Sequence, residues 1–264
     1  MADPATHSSQ FLLTGIDIAG PSSEVAIMFI HGSLDRSAGM ARLARLAQQT
    51  HKTLRFDRRG YGRHHGHPGP FTVAGNVDDV ETILDGQPAV LVGHSYGGNI
   101  ALAVAERLGT QIRGVTTYET PLSWFEWWPR GTAGGAALAA QPEEAAEIFM
   151  IRMIGEKRWN ELPQTTKDQR RQEGRALTGE LGDLRQGAPW NGANISCPVI
   201  CGHGSRAQPH HVEGATELTR LIRNSRLQEV QGAGHGAPIS HPKQFFDLLV
   251  TPHLEGSGTF TVTS

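Results

Sequence analysis

Ser95 stands between two glycines, each two positions away, in Gly93-His94-Ser95-Tyr96-Gly97, a spacing that can present a hydroxyl as a nucleophile. The apolar run Val90-Leu91-Val92 before it reads as a strand, and the small-residue pattern of residues 98–103 after it reads as a helix. A strand that turns at once into a helix leaves no room at Gly93 and Gly97, where a Cβ would collide with neighbouring backbone, and it strains the serine between them. The same turn puts the amide of Tyr96 at the helix start, where the first donors lack partners and the dipole favours negative charge. One turn thus supplies a nucleophile and half of an oxyanion hole, the equipment of acyl transfer. In a chain with 32 glycines the five residues could be an ordinary glycine-rich turn; the strand before and the helix after favour the chemical reading.

Such a serine needs a base, and the base needs an orienting group. There are 13 histidines to draw on. His64-His65-Gly66-His67 could suggest a metal site, but it lacks carboxylates or cysteines at ligand spacing and reads as solvated loop histidines. No metal and no cofactor are expected. Cys197 and Cys201 flank Pro198-Val199-Ile200 in a buried strand, and their spacing makes them same-face core residues rather than a disulfide.

The elements that must position this chemistry alternate along the chain. Residues 11–18 have strand composition and suit an edge; residues 25–30 form a continuous apolar run, as in a parallel strand covered on both faces. A helix is expected over 39–49, a strand over 53–57, a helix over 77–84, strands over 89–93 and 112–118. After Pro121 the alternation stops for about seventy residues in which only helices announce themselves, as at Pro142-Glu143-Glu144. It returns with a strand over 198–202, a helix over 212–222, a strand over 227–230 and a helix over 241–250. The order implies an α/β fold with a mostly parallel central sheet and helices on both faces. The first nine residues read as a loose tail, and residues 258–263 alternate like a strand.

Composition narrows the partners. At 264 residues and 38% hydrophobic the chain can bury one sizeable core, and a net charge of -2 gives no electrostatic reason to expect nucleic acid or a membrane surface. No basic-then-apolar leader opens the sequence and no apolar run approaches the ~20 residues that span a bilayer, so a cytoplasmic protein acting on a small molecule is expected.

The segments HGSLDRS (31–37), FDRRGYGRH (56–64), VGHSYGG (92–98), TYETPLSW (117–124) and GAGHGAP (232–238) together resemble the α/β-hydrolase fold, from about residue 25 to residue 250. The resemblance implies a core of residues 1–121 and 190–264 and a helical cap, 122–189, inserted between the strands that family counts as sixth and seventh. It implies that His235, in Gly234-His235-Gly236 after the last strand, is the catalytic base, and that the chain order is serine, acid, histidine. His94 and His31 are then packing and structural residues. Many relatives carry the acid in a loop of the form HGxxD, but here that loop reads His203-Gly204-Ser205-Arg206-Ala207, with no carboxylate before Glu213. Some members place the acid at the end of the preceding strand, which makes Glu119 the candidate, with Asp57 as competitor. The second oxyanion donor falls on the backbone amide of Ser33, partnering that of Tyr96.

Trp124, Phe125, Trp127 and Trp128, then Phe149, Met150, Met153 and Trp159, make the insertion aromatic and apolar. They could simply form a small core for the cap. The sharper expectation is an apolar pocket over Ser95 lined by Trp124, Trp128 and Met153. The expected activity is hydrolysis of a small apolar or aromatic carboxylic ester through an acyl-enzyme. Carbon–carbon bond hydrolysis, haloperoxidase-like perhydrolysis and acyl transfer remain open on the same residues, as does a non-catalytic small-ligand receptor.

Overall fold

The computed structural model describes residues 15–255. The expected N-terminal tail, the first part of the edge strand proposed over 11–18, and the strand-like tail over 258–263 lie outside the described residues. Ile16–Ala19 form β1, Ala26–Ile30 β2, Ala41–Ala47 α1, Thr53–Phe56 β3, Val73–Leu84 α2, Ala89–His94 β4, Tyr96–Leu108 α3 and Ile112–Tyr118 β5. Then come α4 (Ala133–Leu138), α5 (Pro142–Ile154), α6 (Glu156–Asn160), α7 (Gln164–Gln172) and α8 (Gly174–Leu184), with no strand between them. Alternation resumes with β6 (Val199–Gly204), α9 (Pro209–Leu221) and β7 (Ser225–Val230). Short turns of helix follow: α10 (Ala237–Ser240), α11 (Pro242–Phe245), a π turn over Phe246–Val250 and α12 (Thr251–Leu254).

The seven strands form one sheet in the order β1-β3-β2-β4-β5-β6-β7, with β1 antiparallel to β3 and every other neighbouring pair parallel. Alternate residues of β2 feed different cores. Met28 and Ile30 pack with Val77 and Val80 of α2 and Ile100 of α3, while Ile27 and Phe29 pack with Leu43 of α1 and with Phe245 and Leu249. A sheet buried on both faces needs apolar side chains on both, which is why these strands are unbroken apolar runs. Cys197 and Cys201 are free thiols in the first of these cores.

Several expected elements shift. The helix expected over 39–49 opens instead as a 3₁₀ turn, Ser37–Met40, before α1. α2 begins four residues early because the Thr72 side chain caps it, accepting from the Gly75 amide at 3.0 Å. α9 begins at Pro209, a residue suited to a helix's first turn. The helix expected over 241–250 is broken into pieces. Pro242 starts a new turn, and Pro252, lacking an amide and crowding the carbonyl four residues back, accompanies the π turn. Counted in this sheet, the helical segment follows the fifth strand, because among the described residues a single antiparallel strand precedes β2. That segment shares a third core, in which Ala145, Ala146, Phe149 and Leu177 pack with Leu34 and Tyr61 from the loops beside β2 and β3. No helix of the described residues is long and apolar enough to cross a membrane.

Candidate active site

β4 delivers Ser95 at the C-terminal edge of the sheet, with φ +53° and ψ −124°. The turn is held from two sides: the Ser95 amide donates to the Tyr118 carbonyl at 2.9 Å, and the Gly98 amide donates to the Ser95 carbonyl at 2.9 Å. A Cβ on Gly93 would fall onto the Gly97 carbonyl, and one on Gly97 onto the Ile30 carbonyl, both well inside contact distance, so only glycine fits either place. Four non-glycine residues among those described have positive φ, and Leu34, Ser95 and Glu119 are three of them, each following a strand that points at the same place. Strain of this kind costs on the order of 1–3 kcal/mol per residue and clusters where function over-determines geometry.

Glu119 follows β5 and is almost wholly buried. Its Oε2 lies 2.8 Å from His235 Nδ1, and its Oε1 accepts from the Gly204 amide at 3.2 Å. His235 is held from behind by His94, whose Nε2 lies 2.8 Å from the His235 carbonyl and donates to it. Burial, reinforced by the nearby His235, pushes His94 down to about 3, so its ring is neutral at ordinary pH. The Tyr118 hydroxyl donates to the Gly234 carbonyl at 3.0 Å and fixes the loop one residue earlier. The structure therefore brings Glu119 and His235 together, and Ser95 and His235 open onto one cavity of about 380 Å³.

Asp57 is elsewhere occupied. One carboxylate oxygen accepts the Ser37 amide at 2.8 Å, and the other accepts the Arg63 amide at 3.0 Å. Burial alone would raise its pKa, but the bonds from Arg63 and Ser37 bring it down to about 2. This carboxylate ties down a turn.

The loop after β2 is fixed by a buried arginine that sequence reasoning passed over. Arg58 donates from Nε to the His31 carbonyl at 2.9 Å and from Nη2 to the Gly32 carbonyl at 3.1 Å, and its backbone amide donates to His31 Nε2 at 2.9 Å. His31 Nδ1 faces the Gly32 carbonyl at 2.8 Å, which assigns the proton to Nδ1. Burial and the Arg58 charge keep this ring well below the usual histidine range. Arg58 in turn pairs with Glu180 of α8 at 2.8 Å, and Glu180 accepts the Tyr61 hydroxyl at 2.6 Å. The helical segment is thereby bonded to the loop that carries Ser33, which lines the cavity. The Tyr96 side chain is buried with the Arg58 guanidinium 4.9 Å from its ring, and its backbone amide is the first of α3.

Trp128 and Met153 line the cavity, together with Phe149 and Leu181. Trp124 does not, and here the sequence expectation needs correction: its ring stands edge-on to Trp190 at 5.7 Å and close to Phe125, packed against the main core. Trp159 is likewise buried structure, donating to Glu147 at 3.0 Å. His64 and His67 are buried rather than solvated, with His64 Nδ1 at the Asp57 carbonyl, while His65 is exposed. Two histidines that no motif marks complete the wall. His211 lies nearly parallel to His235 at 5.0 Å, and His210 stands edge-on to Trp128 at 4.8 Å. Burial and the neighbouring His235 hold His211 well below the usual histidine range. Among the described residues Glu119, His211 and His235 are the group whose donor atoms could converge on a metal ion, all within 4.8 Å of one another. The contact of Glu119 with His235 already accounts for two of them without one.

A model of the Alpha/beta hydrolase family matches residues 27–248. Over 96 residues the chain is 32% identical to the lipase LipV of Mycobacterium tuberculosis, a stretch covering 35% of this chain and 36% of that protein. The match thus spans well under half of that relative. Among solved structures, a thermophilic esterase from Thermogutta terrifontis superposes with a TM-score of 0.66 at 18% identity, over 88% of this chain and 89% of that one. MenH from S. aureus gives 0.74 at 18% identity, over 92% and 98%. At such identities the two structures speak for the fold.

Proposed function

The chain belongs to the alpha/beta hydrolase family, and from that premise we propose that it is a serine hydrolase cleaving a small carboxylic ester with an apolar or aromatic group, through an acyl-enzyme on Ser95. The observation that carries this reading is the 2.8 Å contact of buried Glu119 with His235 Nδ1 at the edge of a cavity that Ser95 also lines. With Nδ1–H donated to Glu119, the lone pair of the neutral ring is on Nε2, the tautomer a general base requires.

The reaction follows from these roles. Nε2 of His235 takes the Ser95 hydroxyl proton as Oγ bonds to the ester carbonyl carbon, and the negative charge moves to the carbonyl oxygen. The amides of Ser33 and Tyr96 stabilise that oxyanion, each contributing roughly 3 kcal/mol where single donors have been removed in other enzymes. When the carbon–oxygen bond breaks, His235 returns its proton to the departing alcohol. Water, deprotonated by the same nitrogen, then attacks the acyl group, and the collapse frees Ser95 and the carboxylic acid. Glu119 stays ionised throughout and offsets the charge of the imidazolium. Residues 122–189 act as the cap, with Trp128, Phe149 and Met153 giving the acyl or aryl group an apolar wall.

The test is a series of p-nitrophenyl esters of increasing acyl length, run beside a fluorophosphonate label. Turnover with saturable kinetics and labelling of Ser95 support the proposal. Tight stoichiometric binding of the esters without p-nitrophenol release would support the receptor reading instead.

A further inference from the structure

The cavity over Ser95 carries charge of one sign. Arg152 of α5 and Arg185, just past α8, both line it, and among the described residues no aspartate or glutamate does. Other arginines of the helical segment make ion pairs away from it: Arg170 with Glu173, and Arg171 with Glu147 and Asp168. Among the described residues neither Arg152 nor Arg185 joins an ion pair.

The two guanidinium groups meet one short stretch of chain. Arg152 Nη1 donates to the Gly131 carbonyl at 2.8 Å, and a Cβ on Gly135 would come within 3.3 Å of Arg185 Nη2. Residues 131–135 themselves line the cavity, so both heads gather on the same wall. Arg185 is only partly exposed, and burial together with neighbouring Arg130 disfavours its charge. An arginine cannot escape that cost by losing its proton. Arg152 is exposed and keeps its water, so the cost falls on Arg185, whose part-buried charge meets no carboxylate in the cavity among the described residues and is relieved by an anion there.

Resting on the esterase reading for the position of the reacting bond, we infer that the substrate bears a carboxylate remote from its ester, bound by Arg152 and Arg185. The apolar side chains of Trp128, Phe149 and Leu181 line the same cavity and suit the carbon chain between the two ends.

The test compares the p-nitrophenyl half-ester of adipic acid with p-nitrophenyl hexanoate, which has a methyl where the half-ester has its carboxylate. The expected kcat/KM ratio favours the half-ester by about tenfold or more at low salt, the scale of one charge-assisted hydrogen bond. The ratio should fall with rising ionic strength, and toward one in Arg152→Gln or Arg185→Gln. A ratio near one in the unaltered protein, or one that survives both substitutions, overturns the inference while leaving the esterase reading intact. A second measurement needs no turnover: calorimetric titration of Ser95→Ala with adipate and with hexanamide. Adipate should bind and the amide should not compete, and adding Arg185→Gln should abolish adipate binding. Adipate binding in a protein that cleaves neither ester would leave the anion site standing and remove the esterase reading. No adipate binding would remove the site.

Discussion

Two carboxylates compete for His235 in the sequence, and their bonding separates them. Glu119 spends one oxygen on His235 and the other on the Gly204 amide, whereas Asp57 spends both on the turn formed by residues 57–63 and on Ser37. Replacing Glu119 by Gln preserves shape, removes the charge that stabilises the imidazolium and allows the wrong tautomer. The fall in kcat should reach up to about 10⁴-fold if the trio behaves like the best-studied protease; a fall below about tenfold would place the orienting role elsewhere. Asp57→Asn should do the opposite. It weakens charge-assisted bonds and should cost roughly 1.5–3 kcal/mol in urea unfolding, with kcat little changed.

At the level of elements, the turn between β4 and α3 depends on backbones that touch. A Cβ at Gly97 has the Ile30 and His31 carbonyls in its place, so Gly97→Ala must push the start of α3 away from the end of β2. It should lower both soluble yield and activity, and an alanine variant with unaltered melting temperature would contradict this packing. The aromatic residues after β5 divide by where they point. Trp124→Ala should lower stability, by up to about 3 kcal/mol for a large ring that is partly buried, and leave acyl-length preference alone. Trp128→Ala should shift that preference, and the ester series reads both. The succession of strands and the serine turn were legible in residue types, because each is a local pattern, whereas Glu119 was a candidate only through the family resemblance, and its contact with His235 joins residues far apart in sequence. Trp124 was misplaced because a run of aromatics carries no sign of which ring meets Trp190 and which meets the cavity. Arg58, His211 and Arg185 were invisible for a related reason. Their partners, Glu180, His235 and residues 131–135, are distant in sequence, and no spacing rule links them.

Across the whole molecule, acid should act through histidines buried neutral. His94 is depressed to about 3 and His253 to about 4, in both cases mainly by burial, and His31 and His211 are depressed as well. The unfolded chain takes up these protons near the ordinary value of about 6.5, while the folded chain resists them. Below that value the unfolded state binds more protons, so stability falls as pH falls and levels off only beneath the folded values. His94 alone should cost about 2 kcal/mol between pH 7 and pH 5. Urea midpoints at pH 7, 6 and 5 should decline steadily, and a flat profile would contradict the neutral, buried assignment. Sheet, turn and histidines meet at one cavity, which Ser95 and His235 both line. The most direct measurement is peptide-mapping mass spectrometry of the protein quenched during turnover of p-nitrophenyl butyrate, with Ser95→Ala run in parallel. A butyryl adduct on Ser95 and loss of turnover in the variant are expected. An adduct on another residue, or full activity in Ser95→Ala, would rule out Ser95 as the nucleophile.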